Sequence, residues 1–273
     1  MSKNILSINN LSFYYKNNDI TGDKWKKILS DINMEVNEGE IVGLVGLSGC
    51  GKTTLGKLIV NYFELNDIDY KINGTVDFIY NGSKINIPSS QYRNINIPPI
   101  QMVFQDPRTS LNMRMSVYEQ LKESALLRYK KEGSSTSELD SDIKNLAAKM
   151  KLSEKHLKYT PSDMSGGQRR RFGLAKIMAM RPKLIIADEP VASLDVSIKE
   201  QIMDVIFDLN QIDNVTLVII SHDISLLMKR ADKICVIHEG ELVETWDPKV
   251  EPKHKATIDL VDDSKYVNRL MNS

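Results

Sequence analysis

The sequence has little cysteine, no excess of either charge and no long apolar run, and each lack removes a class of protein. Only Cys50 and Cys235 occur, far apart and outside any C-x-x-C spacing, so neither a disulfide framework nor a thiolate metal site is expected. A reducing cytoplasm is the compartment this implies. Lys plus Arg number 36 and Asp plus Glu number 36; no global basic field argues for a nucleic-acid partner, and no acidic excess argues for disorder. Runs such as Leu217-Val218-Ile219-Ile220 fall far below membrane-spanning length, and Met1 to Asn10 lacks the apolar centre of a secretory leader. Work at a membrane would need another protein to hold the chain there. What remains is a globular chain of 273 residues, 41% hydrophobic, enough for one or two domains and a substantial core.

The strongest positive signal is Gly46-Leu47-Ser48-Gly49-Cys50-Gly51-Lys52-Thr53-Thr54, which fits G-x-x-x-x-G-K-[ST] between the apolar run Ile41 to Val45 and the helix-like Leu55 to Val60. Glycines 46, 49 and 51 let successive N–H groups point inward at a helix N-terminus, an anion-binding nest for a phosphate chain. Lys52 is expected on the β- and γ-phosphates, the Thr53 hydroxyl on Mg²⁺ and Thr54 on the α-phosphate. Cys50 is a small filler whose backbone N–H matters more than its sulfur.

Along the rest of the chain, residues 5 to 15 alternate as a strand ending in three aromatics. Phe13 and Tyr14 are expected in the core, while Tyr15 is placed against adenine. Ile32 to Val36 reads as a second strand, and residues 71 to 87 as a hairpin turning at Asn81-Gly82. Ile100 to Phe104 is a buried strand delivering Gln105 and Asp106 before Pro107. From Ser116 to Ala148 the pattern is helical, broken at Gly133 to Ser137, giving a mostly helical insert of roughly 60 residues. Ser165-Gly166-Gly167-Gln168 makes a second anion site ahead of a helix over Phe172 to Met180, and Arg169, Arg170 and Arg171 read as a solvated face.

A further buried strand ends in Asp188-Glu189, where strand alternation is expected to send the two carboxylates to opposite faces. Asp188 would then hold Mg²⁺ and Glu189 would activate the attacking water. Asp195 lies in a short loop before a helix over Ile198 to Leu209, where Asp195 or Ser197 also suits a capping role. A third apolar strand ends at His222, placed to donate to a γ-phosphate oxygen; His156, His238 and His254 have no comparable placement. Ile234 to Ile237 and Glu241 to Val243 form a hairpin through Glu239-Gly240, and a polar tail begins near Asp247.

In this order the motifs resemble an ABC-type ATPase over approximately residues 5 to 260: Walker A at 46–54, Gln105 as Q-loop, Ser165 to Gln168 as signature, Asp188 and Glu189 as Walker B, Asp195 as D-loop and His222 as switch histidine. Met102 to Pro107, Ser110-Leu111-Asn112, Val191 to Ser197 and Pro252-Lys253-His254 with Thr257 are similar to the peptide and nickel importer subfamily. Met164 stands where that family has Leu, and Lys176 where arginine is common.

The resemblance implies an α/β fold: a RecA-like mixed-sheet core with an antiparallel β subdomain and an inserted helical subdomain. It divides the chain into one ATPase domain over 1–260, with core at 1–105 and 166–246 and helical part at 106–165, and a short tail at 247–273. It implies ATP and Mg²⁺, with Gln105 also on the metal and with Ser165, Gly166, Gly167, Gln168 and Asp195 serving ATP held by another chain. It implies a second ATPase subunit of different sequence, with a second copy of this chain as the alternative, two integral membrane permease subunits and, indirectly, an extracytoplasmic substrate-binding protein, with no nucleic acid. The location implied is peripheral, on the cytoplasmic face of the cell membrane. An ABC exporter or lipoprotein-release system stands as the alternative, and a soluble ABC protein of translation or DNA repair as a more distant one.

Overall fold

The computed structural model describes residues 3–16, 24–89, 92, 95 and 99–271, with side chains to 265. In chain order the strands and helices are β1 (Asn4–Lys16), β2 (Trp25–Asn37), β3 (Ile41–Val45), α1 (Lys52–Ile59), α2 (Tyr62–Leu65), β4 (Tyr70–Tyr80), β5 (Ser83–Ile87), β6 (Ile100–Val103), α3 (Val117–Glu132), α4 (Leu139–Lys149), α5 (Gly166–Met178), β7 (Leu184–Asp188), α6 (Val196–Asp213), β8 (Thr216–Ser221), β9 (Lys233–His238), β10 (Glu241–Trp246) and α7 (Lys255–Met271). Two compact units divide them: Met1–Asn94 with Thr216–Ser273, and Ile95–Val215. Among the described residues no helix is long and apolar enough to cross a membrane.

The first unit contains an antiparallel sheet, β2-β1-β4-β5, in which β1 buries Leu6 and Ile8 and, after an irregularity at exposed Asn9-Asn10 that shifts the phase of alternation, Leu11 and Phe13. β2 starts at Trp25, seven residues before the sequence-based start at Ile32, because its exposed half alternates too weakly to be seen. The turn at Asn81-Gly82 has φ 51° and 77°, both left-handed, as a two-residue hairpin requires. Glu239-Gly240 repeats the pattern at 49° and 84°.

Beside that sheet lies a second one in which β3 is flanked by β8 and β9, both parallel to it, with β10 antiparallel to β9. Every residue of β3 and β8 is buried, which is why both read as continuous apolar runs. The segment expected as a polar tail from Asp247 is instead largely helical. α7 buries Thr257 and Val261, and the Glu244 carboxylate accepts from the Lys253 and His254 amides just before it starts.

In the second unit β6 runs parallel to β7, and the other regular elements are helices joined by loops. Ser116 and Glu119 form a reciprocal capping box at the start of α3, and left-handed Gly133 ends it. Arg128, nearly buried, donates to Asp142 on α4 at 2.6 Å, and the Tyr129 hydroxyl joins the same carboxylate at 2.8 Å. α5 begins at Gly166, not Phe172, so the two glycines and three arginines form its first turns.

Candidate active site

Within the first unit, β3 delivers the chain into the phosphate loop. Gly46, Gly49 and Gly51 adopt φ of 149°, 83° and 106°. A Cβ on Gly46 would lie 2.1 Å from the Ile237 carbonyl oxygen, whereas one on Gly49 would meet nothing within 4 Å. The loop is therefore wedged against β9 on one side and open on the other. α1 starts with no side-chain cap and no acid in its first turn, so its N-terminus fits an anionic ligand. Buried Lys52 donates its ammonium to the carbonyls of Gly46 at 2.8 Å and Leu47 at 2.9 Å, and lies 3.8 Å from Cys50 Sγ. Its charge is held over the loop without a carboxylate among those partners.

Tyr15 reaches the same helix start: its hydroxyl is 3.5 Å from Thr54 Oγ1, and its half-buried ring stands edge-on to Phe13 and Phe63. Phe13 is fully buried; Tyr14 is half-buried with the Lys71 ammonium over its ring. Exposed His222 follows β8 and, with Asp223 and Ser225, lines a cleft of about 410 Å³ together with Gly46, Leu47 and Ser48. Leu260, Asp263 and Ser264 of α7 complete that lining. Sequence inspection missed them, since only Thr257, Leu260, Val261 and Ser264 mark a helical stripe and two of these are polar.

In the second unit, exposed Gln105 follows β6, and Asp106 caps the next turn by accepting from the Arg108 amide at 2.9 Å. The Arg108 guanidinium on Asp106 holds that carboxyl below the usual range. Asp188 is buried as the last residue of β7. Glu189 lies outside the strand with φ 46°. Strand alternation therefore does not separate the two acids; the left-handed backbone at Glu189 sets its direction instead.

Asp195 is the N-cap residue of α6, but its side chain makes no capping bond, and Ser197 lies inside the helix. Both Asp195 and Ser165 are exposed. The signature turn packs beside this segment: a Cβ on Gly167 would lie 3.0 Å from Ile198 Cγ2, and one on Gly166 would lie 3.7 Å from Leu194. Ser165 Oγ accepts from the Gln168 amide at 3.3 Å, and Gln168 Oε1 accepts from the Ser165 amide at 2.8 Å.

The arginine triplet is not a solvated face. Arg170 is buried and donates to the Ala192 carbonyl at 2.8 Å, and Arg169 donates to the carbonyls of Pro161 and Met164. Burial lowers the pKa of both Arg170 and Arg171. Arg169 and Arg170 tie the signature helix to the loops around it. Lys176, whose role the sequence left open, is half-buried and donates to the Ser110 carbonyl at 2.8 Å, fixing α5 to the loop after Gln105.

The ABC transporter family profile matches residues 29–192. The dipeptide transport ATP-binding protein DppF of Lactococcus lactis subsp. cremoris is 36% identical over 238 residues, spanning 84% of this chain and 72% of the relative. The oligopeptide transport ATP-binding protein OppF of Bacillus subtilis is 34% identical over 245 residues, spanning 89% and 76%. Among solved structures, the dimeric post-hydrolysis state of the ATP-binding cassette MJ0796 bound to ADP and Pi matches with a TM-score of 0.74 at 25% identity, covering 90% of this chain and all of that one. The chain belongs to the ABC transporter family. It is an ATP-binding-cassette enzyme that hydrolyses ATP.

Proposed function

We propose that this chain is the ATP-hydrolysing subunit of a peptide importer, working as one half of a pair of ATPase subunits at the cytoplasmic face of the cell membrane. The observation that carries the substrate class is the naming of its relatives as dipeptide and oligopeptide transport ATP-binding proteins, which favours peptides over nickel or another metal chelate. In this reading residues 1–105 and 166–246 form the catalytic core and 106–165 the helical part. Tyr15 stacks on adenine, and the amides of Gly46 to Thr54 with Lys52 cradle the phosphates. Thr53, Asp188 and Gln105 would hold Mg²⁺, an oxygen-donor set suited to that ion, which supplies charge neutralisation on the phosphates. Glu189 takes the proton of the attacking water, and His222 donates to a γ-phosphate oxygen.

Ser165, Gly166, Gly167, Gln168 and Asp195 serve the nucleotide bound by the second subunit, whose own signature completes the site on this chain. Closure of the pair on ATP draws the helical parts inward, and Gln105 passes that motion to one of two membrane permease subunits docked near residues 106–130. A substrate-binding protein outside the membrane delivers the peptide. Affinity capture of the tagged chain from detergent-solubilised membranes tests this directly. Recovery of integral membrane subunits and a second ATPase is expected; recovery of ribosomes or nucleic acid in their place would overturn it.

A further inference from the structure

Arg170, in the middle of the triplet that follows the signature, reaches the segment that carries the two acids. It is 9% exposed, and its Nη2 donates to the Ala192 carbonyl at 2.8 Å. The Ala192 amide in turn donates to the Glu189 carbonyl at 3.1 Å, closing a four-residue turn over Glu189-Pro190-Val191-Ala192. Pro190 presets φ at the second position of that turn. At its start and just beyond its end the backbone is left-handed at residues that carry side chains: φ is 46° at Glu189 and 60° at Ser193. Such conformations persist only where surrounding contacts fix them. The Arg170 guanidinium supplies a contact of that kind from α5, at the residue that closes the turn, and all of these residues belong to the second compact unit.

Stability is a weak reason for this arrangement. Burial disfavours the Arg170 charge and the Asp106 carboxylate opposes that only in part, while Nη1 is buried with no hydrogen-bond partner among the described residues. A buried guanidinium left half-satisfied adds little net stability. What it does add is a fixed place for the Ala192 carbonyl.

We propose that Arg170 is a positioning residue for Glu189: by holding the Ala192 carbonyl it fixes the turn that begins at Glu189, and so fixes where the base stands. The catalytic part rests on the assignment of Glu189 as general base. The tie to the turn rests on geometry alone, so the two are separable by experiment.

Hydrogen exchange at the Ala192 amide, measured on the full chain, reads the tie apart from the chemistry. Arg170→Met, which keeps a long apolar stem but donates nothing, is expected to speed that exchange about tenfold, the loss of one hydrogen bond from a charged donor. Arg170→Lys, whose ammonium can make the same single bond, is expected to restore protection. Unchanged exchange in Arg170→Met, or no rescue by Arg170→Lys, overturns the tie.

In the assembled transporter Arg170→Met is expected to lower kcat for ATP hydrolysis about tenfold with KM for ATP unchanged, since misplacing a reacting group by about 1 Å can cost up to about a hundredfold. Arg170→Lys is expected to recover most of that rate. Added to Glu189→Gln, which has already lost the base, Arg170→Met is expected to change the residual turnover by less than about twofold. Unchanged kcat in Arg170→Met, or a full tenfold loss on top of Glu189→Gln, overturns the positioning role. If Glu189→Gln itself turns over ATP at the wild-type rate, what fails is the assignment of the base, and exchange at Ala192 still decides the tie.

Discussion

Single residues decide how the phosphate loop can be built, and two glycines in it differ in why they are there. Gly46 has both a left-handed φ and the Ile237 carbonyl where a side chain would go, so Gly46→Ala is expected to cost about 3 kcal/mol or more. Gly49 has the positive φ but open space, so Gly49→Ala is expected to cost only about 1 kcal/mol, from backbone strain. Chemical denaturation of the two variants checks the ordering; equal losses would contradict the wedge against β9. The residues that sequence inspection singled out here were those whose chemistry is local: a lysine after glycines, two acids after an apolar run. Those it misjudged take their roles from long-range partners. Arg170 reads as surface until the Ala192 carbonyl, 22 residues away in sequence, is seen beside it. Glu189 was placed by strand alternation, which stops one residue earlier than the sequence suggests.

Elements with strong internal signals were legible, and those stabilised by packing were not. β3 and β8 announce themselves as unbroken apolar runs, and the hairpin turns by Asn-Gly and Glu-Gly. α7 was taken for a tail because its buried stripe includes a threonine and its other faces are polar. The junction of α3 and α4 has a consequence for pH. Burial alone would raise the Asp142 carboxyl, but hydrogen bonds from Arg128 and Tyr129, with the charges of Arg128 and Arg181, outweigh it and hold the group below its usual range. A depressed carboxylate adds stability above its unfolded pKa of about 3.9, and that stability is lost as pH falls from there through the folded value. Asp142→Asn is therefore expected to destabilise the protein at pH 7 and to flatten the loss of stability as pH falls below about 4. Unfolding midpoints measured across that range check it; an unchanged acid slope would remove Asp142 from the account.

For the whole molecule, the order of motifs along the chain carried more than any one of them. The phosphate loop alone is shared with kinases and GTPases; the signature, the paired acids and the terminal histidine restricted it to the family that the comparisons show. The two turns proposed to bind anions, Gly46 to Thr54 and Ser165 to Gln168, lie in different compact units of one chain, which accords with the proposed site shared between two subunits. The central claim is that this chain hydrolyses ATP with Glu189 as the base. Steady-state ATP turnover by Glu189→Gln, assembled with its partner ATPase and membrane subunits, tests it most directly. The account predicts ATP binding at unchanged affinity, turnover lower by about a hundredfold or more, and a closed pair of subunits trapped on ATP; turnover at the wild-type rate would contradict it.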